Sequence, residues 1–528
     1  MSKGTIGKIL VAACVIGAAG YFFVGRDAGS KPEANKPAAT AQKRTDMIFA
    51  LNAEPSGLDP NNTWDTVSAV PQAAIYETLI AEKNGDSLTL EPCLAESWKI
   101  SDDGKEVTFK IRKNVKFHNG DTMTVKDVAF SINRAIQSPY TKVVTSTMKE
   151  MQVVDDDHVK LIMKHPYLPV LNVFTSATLS IVSEKAVKDC EAQGKDFARN
   201  PCGTNAYQFV EWKSGEKIEL KRFDNYWRAL APCEKFTFKI ITDSTTGGIA
   251  LEKGEIDILY APARSDKMHL SSVPGLTWNS IAGAGFSFVA FNCLDEKSPF
   301  HDVRVRQAVA HAVKKEDVLI AAVNGLGTLI ECPLSPMIAG YDKTFKFWEY
   351  DIEKAKKLLA EAGYPNGFSC KMKINQQAIY KKAAEALQAQ MRVVGIDMQI
   401  ELMERGAFLR DVMGKMDYVV TTSLSNASVQ DPDFEVHRRY SSKVIGNSMN
   451  FTGLSDPHID EILDAARYSL DQNVRNKYYR ELFDWIKEQC PVVPMYTADM
   501  NIAFNSKIKN VYAHPVNKYF AYYYAWGE

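Results

Sequence analysis

One stretch of the chain, Leu94 to Ala129, constrains the fold more than any other because three local signals follow one another in it. Apolar and polar residues alternate on both sides of Asp102-Asp103-Gly104, which predicts two short antiparallel strands joined by a turn. A second turn is expected at Asn119-Gly120-Asp121. Thr124, with Asp127 three positions later and an apolar run behind it, has the pattern of a capping box. The stretch therefore predicts a hairpin, a turn and a helix in close succession.

Composition excludes several classes of protein. The chain has 63 Lys plus Arg against 64 Asp plus Glu, a balance that gives no support to nucleic acid as a partner. Its 9 cysteines include no C-x-x-C pair, so no compact zinc or redox site is indicated. Cys190 and Cys202 are close in sequence and could form a disulfide in an oxidising compartment or remain free thiols. No G-x-S-x-G or H-E-x-x-H motif occurs, and no cofactor or metal ion is expected.

The N-terminus carries a targeting signal. Residues 1–8 include two lysines and precede an apolar run, residues 9–25, which as a helix would be about 26 Å long. The charge pattern places residues 1–8 in the cytoplasm and the remainder outside it. Three fates stay open for the run: an uncleaved membrane anchor, which we favour, a cleaved signal peptide, or a lipoprotein signal with Cys14 lipidated. Residues 26–46 are polar and rich in Ala, Pro and Lys, as is typical of a flexible tether.

Further motifs are spread over the whole body of the chain. Asp302 is a predicted N-cap, and the helix after it is expected to carry Arg304 and Arg306 on a solvated face. Ala74, Ile75, Tyr76 and Leu79 have helical apolar spacing, which predicts a helix that runs through Tyr76 to Leu79. The other motifs are Glu54 to Pro60 (EPSGLDP), Arg199 to Tyr207 (RNPCGTNAY), Asn225-Tyr226-Trp227, Ala250 to Ile258 (ALEKGEIDI) and Pro299 to Ala308 (PFHDVRVRQA).

Together with the stretch from Leu94, these motifs resemble those of the family 5 extracellular solute-binding proteins, the dipeptide and oligopeptide receptors of ABC importers. The resemblance covers about Met47 to Trp526. It implies an α/β fold of the type II periplasmic-binding-protein kind, with two lobes joined by a hinge and an extra domain, the three-domain, pear-shaped architecture of cluster C. It also implies partners: an ABC permease with a separate ATPase, with the receptor itself a monomer at the periplasmic or extracytoplasmic face of the cytoplasmic membrane.

The resemblance also implies domain boundaries. Residues 47–77, 177–287 and 498–528 would form lobe I, and residues 288–497 would form lobe II. The extra, family-specific domain would comprise residues 78–176 and would contain the stretch from Leu94, which is then structural. The hinge is expected near Gly285 and Pro494.

The family's ligand loops fall on identifiable positions of this sequence. Counting back from Tyr76 places one loop at residues 64–66, where an extended ligand would pair as an added strand. Counting back from Asn292 places residues 285 and 286 beside the cleft, and the second lobe would contribute the segment around residues 422–431. The predicted ligand-binding residues are Trp64, Asp65, Thr66, Gly285, Phe286, Thr422, Ser425, Ser428 and Asp431.

One departure from the family bears on specificity. If Asp431-Pro432-Asp433 is aligned with the family's "DPD", Ser425 stands at the position of the family's Trp and Ser428 at that of the Asp that binds a peptide's α-amino group. A neutral hydroxyl cannot balance an ammonium taken out of water. We therefore expect free-amino dipeptides to bind poorly and the ligand to be a modified peptide or another polar small molecule. Two alternatives stay open: Asp431 takes the role, or Asp65 supplies the charge from the opposite lobe.

The sequence therefore predicts a binding protein with no enzymatic activity, which traps a peptide or peptide-like solute and delivers it to a membrane permease. A first alternative keeps the fold with a non-peptide solute such as an opine, a glycan, a metal chelate or a haem-like molecule. A second keeps the fold but feeds a sensor or chaperones secreted substrates. A third is an extracytoplasmic hydrolase, for which no convergent nucleophile or metal set can be assembled from the sequence.

Overall fold

The computed structural model of the chain describes residues 44–63, 65–425, 427–446, 450–519 and 521–527. The predicted anchor, Cys14 and nearly all of the predicted tether lie outside the described residues, as does Trp64. Within the described part of the chain, no helix is both long enough and apolar enough to cross a membrane.

Twenty strands run through the described residues. They are β1 (Asp46–Leu51), β2 (Ile80–Lys83), β3 (Asp86–Pro92), β4 (Ala95–Ile100), β5 (Glu106–Ile111), β6 (Met148–Val153), β7 (His158–Met163), β8 (Tyr207–Lys213), β9 (Lys217–Arg222), β10 (Lys235–Ile240), β11 (Ile258–Tyr260), β12 (Leu276–Ala282), β13 (Ser287–Phe291), β14 (Gly327–Leu329), β15 (Phe368–Asn375), β16 (Ile396–Met403), β17 (Val420–Leu424), β18 (Val492–Asn505), β19 (Ile508–Lys509) and β20 (Ala525–Trp526).

Fifteen α-helices accompany them in the described residues. They are α1 (Thr66–Ile75), α2 (Val125–Gln137), α3 (Lys142–Thr145), α4 (Val170–Val173), α5 (Glu184–Ala192), α6 (Ser244–Glu252), α7 (Lys267–Ser272), α8 (Val303–Ala312), α9 (Lys315–Val323), α10 (Ile352–Glu361), α11 (Ala378–Val393), α12 (Arg405–Phe408), α13 (Pro432–Tyr440), α14 (Pro457–Tyr468) and α15 (Gln472–Gln489). Single 3-10 turns lie at Pro60–Asn62, Ala177–Leu179, Phe197–Arg199, Arg264–Asp266, Pro299–His301, Ser442–Val444 and Ala521–Tyr523, and a π-helical turn at Leu409–Gly414.

A 12-stranded sheet organises the fold, with the order β16-β15-β17-β13-β18-β11-β1-β10-β9-β8 and with β12 and β14 also paired to β18. Strand β1 is parallel to β10 and β11 in one half of the sheet, and β15 is parallel to β16 and β17 in the other half. The first half combines β1, near the start of the described residues, with β18, near their end. This half of the sheet is therefore complete only with β18 in place. Most residues of β1 are buried, as is usual for a parallel strand covered on both faces.

The stretch that opened the sequence analysis folds as expected. Strands β4 and β5 pair around the predicted turn and belong to a separate 4-stranded sheet, in the order β4-β5-β7-β6. The carboxylate of Asp127 accepts the backbone N–H of Thr124 at 2.9 Å, so the predicted capping box begins α2.

The Tyr76 to Leu79 motif is not helical, which corrects the prediction. Helix α1 ends at Ile75, before the motif begins. The reason is tertiary: the buried carboxylate of Glu77 accepts hydrogen bonds from Thr204 Oγ1 at 2.8 Å and from Tyr226 Oη and Trp227 Nε1 at 2.9 Å each. Three motifs that are far apart in sequence therefore meet at one carboxylate, which holds residue 77 in an extended segment.

Helix α8 begins at the predicted N-cap, Asp302, whose carboxylate accepts the backbone N–H of Arg304 at 2.8 Å. Arg304 is exposed as expected, but Arg306 is buried, which corrects the prediction of a solvated face. Its guanidinium donates to the carbonyl oxygens of Phe300, His301 and Gln489 at 2.8–2.9 Å. Phe300 and His301 lie in the turn just before α8, and Gln489 ends α15, so the helical periodicity of α8 alone could not reveal these acceptors. The thiols of Cys190 and Cys202 are free in this structure.

A buried ionic cluster ties the β2–β3 hairpin to the C-terminal segment. The carboxylate of Glu82 contacts His514 Nε2 at 2.9 Å, accepts a hydrogen bond from Thr175 at 2.7 Å and forms a very short ion pair with Lys518. Burial raises the pKa of Glu82, but Lys518 and His514 outweigh burial and lower it to about 2. The ionised carboxylate therefore stabilises the folded state.

We expect this cluster to make stability depend on pH. The folded pKa lies below the usual pKa of a glutamate, so the stabilisation is complete above about pH 4.5 and is lost as pH falls towards 2, by roughly 3 kcal/mol in total. The difference in free energy of unfolding between wild type and Glu82→Gln should accordingly shrink from pH 6 to pH 3 in urea titrations. Glu216→Gln, at an exposed turn residue, is the control. A Glu82→Gln difference that stays constant over this range would contradict the prediction.

Candidate ligand-binding cleft

In both halves of the large sheet, the carboxyl ends of the parallel strands point towards the middle of β18, the strand that the two halves share. In β11, Tyr260 pairs with Ile502, so this strand runs towards the middle of β18. In β17, Leu424 pairs with Ser287, which in turn pairs with Tyr496, so β17 runs towards the same region from the other half. Ligands of α/β sheets bind outside the carboxyl ends of the strands. This rule predicts a cleft bounded by residues 52–63, 65–66 and 261–266 in the first half and by residues 376–380, 404–408, 425 and 427–431 in the second.

The first loop presents Asp65 and Thr66 at the start of α1. Asp65 is exposed, and its carboxylate accepts hydrogen bonds from the backbone N–H and the hydroxyl of Ser68 at 2.7 and 2.6 Å. A carboxylate at an N-cap satisfies helix N–H groups and favours the helix dipole. Burial raises the pKa of Tyr260, at the end of β11, to about 12. The position of Asp65 thus has a structural explanation, and its role towards a ligand stays a prediction.

Gly285, Phe286 and Ser425 meet where the two halves join. Phe286 and Ser425 exchange hydrogen bonds at 2.8 Å, one from the backbone N–H of Ser425 and one from the backbone N–H of Phe286 to the serine hydroxyl. The carbonyl oxygen of Gly285 accepts the Thr497 hydroxyl at 3.0 Å. The hydroxyl of Thr422 donates to the carbonyl oxygen of Phe288 at 3.1 Å. These contacts extend the β13–β17 pairing by one residue beyond the end of β17.

Ser428 and Asp431 differ in their surroundings. Ser428 is half-buried, whereas Asp431 is the N-cap of α13 and is buried. The carboxylate of Asp431 contacts the guanidinium of Arg475 through both oxygens, at 2.5 and 2.9 Å, and Arg475 also donates to Tyr479 Oη at 2.9 Å. Burial disfavours the charged form of Arg475, but Asp431 outweighs burial and raises the pKa of Arg475. Asp431 thus has a fixed cationic partner within the protein. Its binding of a ligand's ammonium group stays a prediction, and such a group would compete with Arg475 for the carboxylate.

Four cleft residues were not among those singled out in the sequence: Tyr260, Arg264, Tyr380 and Tyr496. Burial raises the pKa of Tyr496. Arg264 follows β11 in the first half of the sheet, and Tyr380 lies in the first turn of α11, after β15 of the second half. A search for polar residues directly after each predicted parallel strand would have found Arg264 and Tyr380, because they follow β11 and β15.

The large sheet has two halves that share β18, and the carboxyl ends of their parallel strands face each other. This is the arrangement of a two-lobed binding protein of the type II, cluster C kind. The family model described as "Bacterial extracellular solute-binding proteins, family 5 Middle" matches residues 89–447, more than half of the 528 residues. The chain belongs to this family.

Individual relatives are similar over nearly their whole length. Heme-binding protein A of Haemophilus influenzae is 29% identical over 497 residues, which cover 88% of this chain and 89% of that protein. The dipeptide-binding protein of Escherichia coli is 26% identical over 514 residues, 91% of this chain and 94% of that protein. The solved structure of the periplasmic binding protein DppA from Helicobacter pylori, in complex with the peptide STSA, is 29% identical, has a TM-score of 0.77 and covers 92% of this chain and 99% of that chain.

The Asp431–Arg475 pair yields a stability prediction. Arg475→Ala would leave a buried carboxylate without its partner, and we expect it to lower the free energy of unfolding by about 3–5 kcal/mol. The matched control is Arg480→Ala on the same helix, because Arg480 is 45% exposed and pairs with Asp342 and Asp484 at the surface. Its expected effect is about 1 kcal/mol or less in the same urea titration. Equal effects of the two substitutions would show that the buried pair does not hold α13 and α15 together.

Proposed function

We propose that this protein is the substrate-binding receptor of an ABC importer, which captures a peptide or peptide-like solute between its two lobes and delivers it to a membrane permease served by a separate ATPase. The proposal rests chiefly on one observation: the carboxyl ends of two sets of parallel strands face each other across a single shared strand. In such a fold the lobes can rotate about the crossing segments, and closure then couples ligand binding to recognition by the permease.

The proposed lobes follow the sequence boundaries given above. Supporting this division, β12 pairs with residues 499–505 of β18, whereas β13 pairs with residues 492–496. The backbone therefore passes from one half of the sheet to the other at two places, between β12 and β13 and within β18. Residues 78–176, with their own 4-stranded sheet, are proposed as the extra domain.

We further propose a periplasmic or extracytoplasmic location, with attachment to the cytoplasmic membrane through residues 9–25. The apolar run and the lysines before it support this proposal. Detergent fractionation of the full-length protein tests it, because release into the soluble periplasmic fraction would indicate cleavage. The receptor is proposed to act as a monomer.

For the ligand, we propose a modified peptide or another polar solute in preference to a free-amino dipeptide. Ser425 and Ser428 are neutral, and the carboxylate of Asp431 is already paired with Arg475. Candidate solutes outside the peptides remain relevant because one relative is named as a haem-binding protein.

Ligand binding should stabilise the protein without consuming the ligand. At a ligand concentration 100 times the Kd, the expected gain is about 2.7 kcal/mol, visible as a higher Tm. We expect N-acetylated dipeptides to raise the Tm more than the same dipeptides with free amino groups, and mass spectrometry to recover both unchanged. Steady product formation would contradict the proposed receptor function. Tight binding of free-amino dipeptides would indicate a standard peptide receptor in which another residue binds the α-amino group.

Residues 1–43 should be dispensable for binding. Arg44 should be kept, because its guanidinium contacts the buried carboxylate of Asp257 at 2.8 Å. We expect a protein that begins at Arg44 to be soluble and monomeric by light scattering and to bind as the full chain does. A protein that begins at Thr45 lacks this ion pair and should have a lower Tm. Aggregation or loss of binding on removal of residues 1–43 would contradict the tether assignment.

A further inference from the structure

The proposed extra domain touches the proposed lobe II where the loop after β7 meets the C-terminal end of α14. The ring of His165 packs edge-on against the ring of Tyr468, with the two centroids 4.8 Å apart. Beside this pair, the guanidinium of Arg467 lies over the ring of Tyr167, 5.9 Å from its centroid. Aromatic pairs in this edge-on geometry and cations over aromatic rings both attract. The two parts of the protein are therefore joined at a place that does not involve β18.

Two further contacts lie on either side of these rings. Leu470 packs on the turn between β4 and β5, where a Cβ at Gly104 would lie 2.9 Å from Leu470 Cδ2. The side-chain amide of Gln430, within the predicted cleft loop 427–431, donates to Ser87 Oγ at 3.0 Å. The contact thus reaches the edge of the predicted cleft. We call the following residues the clasp: Gly104, His165, Tyr167, Arg467, Tyr468 and Leu470.

The clasp is connected to the predicted cleft loop through Arg467. Its Nε and Nη2 donate to the two carboxylate oxygens of Asp433 at 3.0 and 2.9 Å. Asp433 is buried in the first turn of α13, directly after the loop 427–431. A two-bonded arginine–carboxylate contact fixes orientation as well as distance. The end of α14, helix α13 and the cleft loop are therefore expected to move as one piece of lobe II.

The extra domain is fastened more firmly to the proposed lobe I. Arg134 donates from Nη1 to the buried carboxylate of Asp59 at 2.7 Å. The backbone N–H of His118 donates to the carbonyl oxygen of Gly203 at 2.9 Å. The buried cluster around Glu82 adds an ion pair with the C-terminal segment. Because breaking a buried ion pair is strongly unfavourable, we expect the extra domain to move together with lobe I.

The contacts of the extra domain with lobe II are of a different kind. Within the described ranges they are made by side chains, and no strand pairing or backbone hydrogen bond joins the two. Tyr468 is 40% exposed and Leu470 is 37% exposed, so little apolar surface would be newly exposed to water if the clasp separated. A rotation of the lobes about the crossing segments would therefore open the clasp and leave the contacts with lobe I intact.

We propose that the clasp is a lock between the extra domain and lobe II, which is formed in the closed receptor and separates when the cleft opens. The clasp sets the ratio of closed to open receptor without touching the solute. Since the apparent Kd of a solute held by the closed form varies inversely with the population of that form, the clasp also sets affinity. This inference rests on the proposed function, in which the two lobes close about a hinge.

Single-molecule fluorescence energy transfer on the full-length protein in detergent micelles tests the clasp without any ligand. The two fluorophores are attached through unnatural amino acids at Asp156 in the extra domain and Glu461 on α14, which are both exposed. We expect wild type to show a short and a long distance, for closed and open molecules. Tyr468→Ala should lower the closed-to-open ratio by about two- to tenfold, the effect of one aromatic pair. His165→Ala should act similarly, and the double variant should add little because both changes remove the same pair.

The matched control is Tyr350→Ala, because Tyr350 is a 52% exposed tyrosine of lobe II outside the clasp. It should leave the closed-to-open ratio unchanged. The ratio is counted among folded molecules, so a general loss of stability does not mimic the effect. Two distances with the wild-type ratio in both clasp variants would overturn the clasp and leave hinge closure intact. One unchanging distance in every protein would contradict hinge closure itself, and the clasp with it.

Discussion

The pairing of β18 with both halves of the large sheet is the interaction on which the rest of the structure depends. This strand of 14 residues pairs with β13 and β14 near its start and with β11 and β12 near its end. In the sequence, β18 is the latest strand of the large sheet, and in space both halves pair with it. Neither half is therefore complete without β18. Backbones approach closely here: a Cβ at Gly327 would lie 2.5 Å from the carbonyl oxygen of Thr497, and one at Gly283 would lie 2.9 Å from that of Ala498. Only glycine allows this contact without a shift of the backbone.

The placement of charge follows from this arrangement. The buried carboxylates of Glu82 and Asp431 both meet a cation and further hydrogen-bond donors, which offset part of the cost of burial for Asp431 and more than offset it for Glu82. Each also joins segments that are distant in sequence, the β2–β3 hairpin to the C-terminal segment and α13 to α15. Arg264 lacks such a carboxylate, and it lies where the strand ends of the two halves meet. Arg306 also lacks a carboxylate partner, and its guanidinium donates to three backbone carbonyl oxygens instead.

Several parts of the fold could be predicted from sequence because the signals for them are local. The turn at residues 102–104, the capping box of Thr124 and Asp127, and the N-cap at Asp302 need only neighbouring residues, and the structure has all three. The failures share one cause. Tyr76 to Leu79 was expected to be helical and Arg306 exposed, but Glu77 binds three side chains from distant segments, and Arg306 binds one distant carbonyl, that of Gln489, besides those of Phe300 and His301. No pattern of spacing within one segment can reveal such partners.

The sequence by itself determined the family, the hairpin and caps named above, and the neutral character of residues 425 and 428, since each of these depends on residue type and on neighbours along the chain. Tertiary structure decided which charged groups are paired within the protein. Asp431 follows a predicted ligand loop, yet α15 places Arg475 against it. The free energy of a buried charge depends on the groups around it in space, and folding alone brings those groups together.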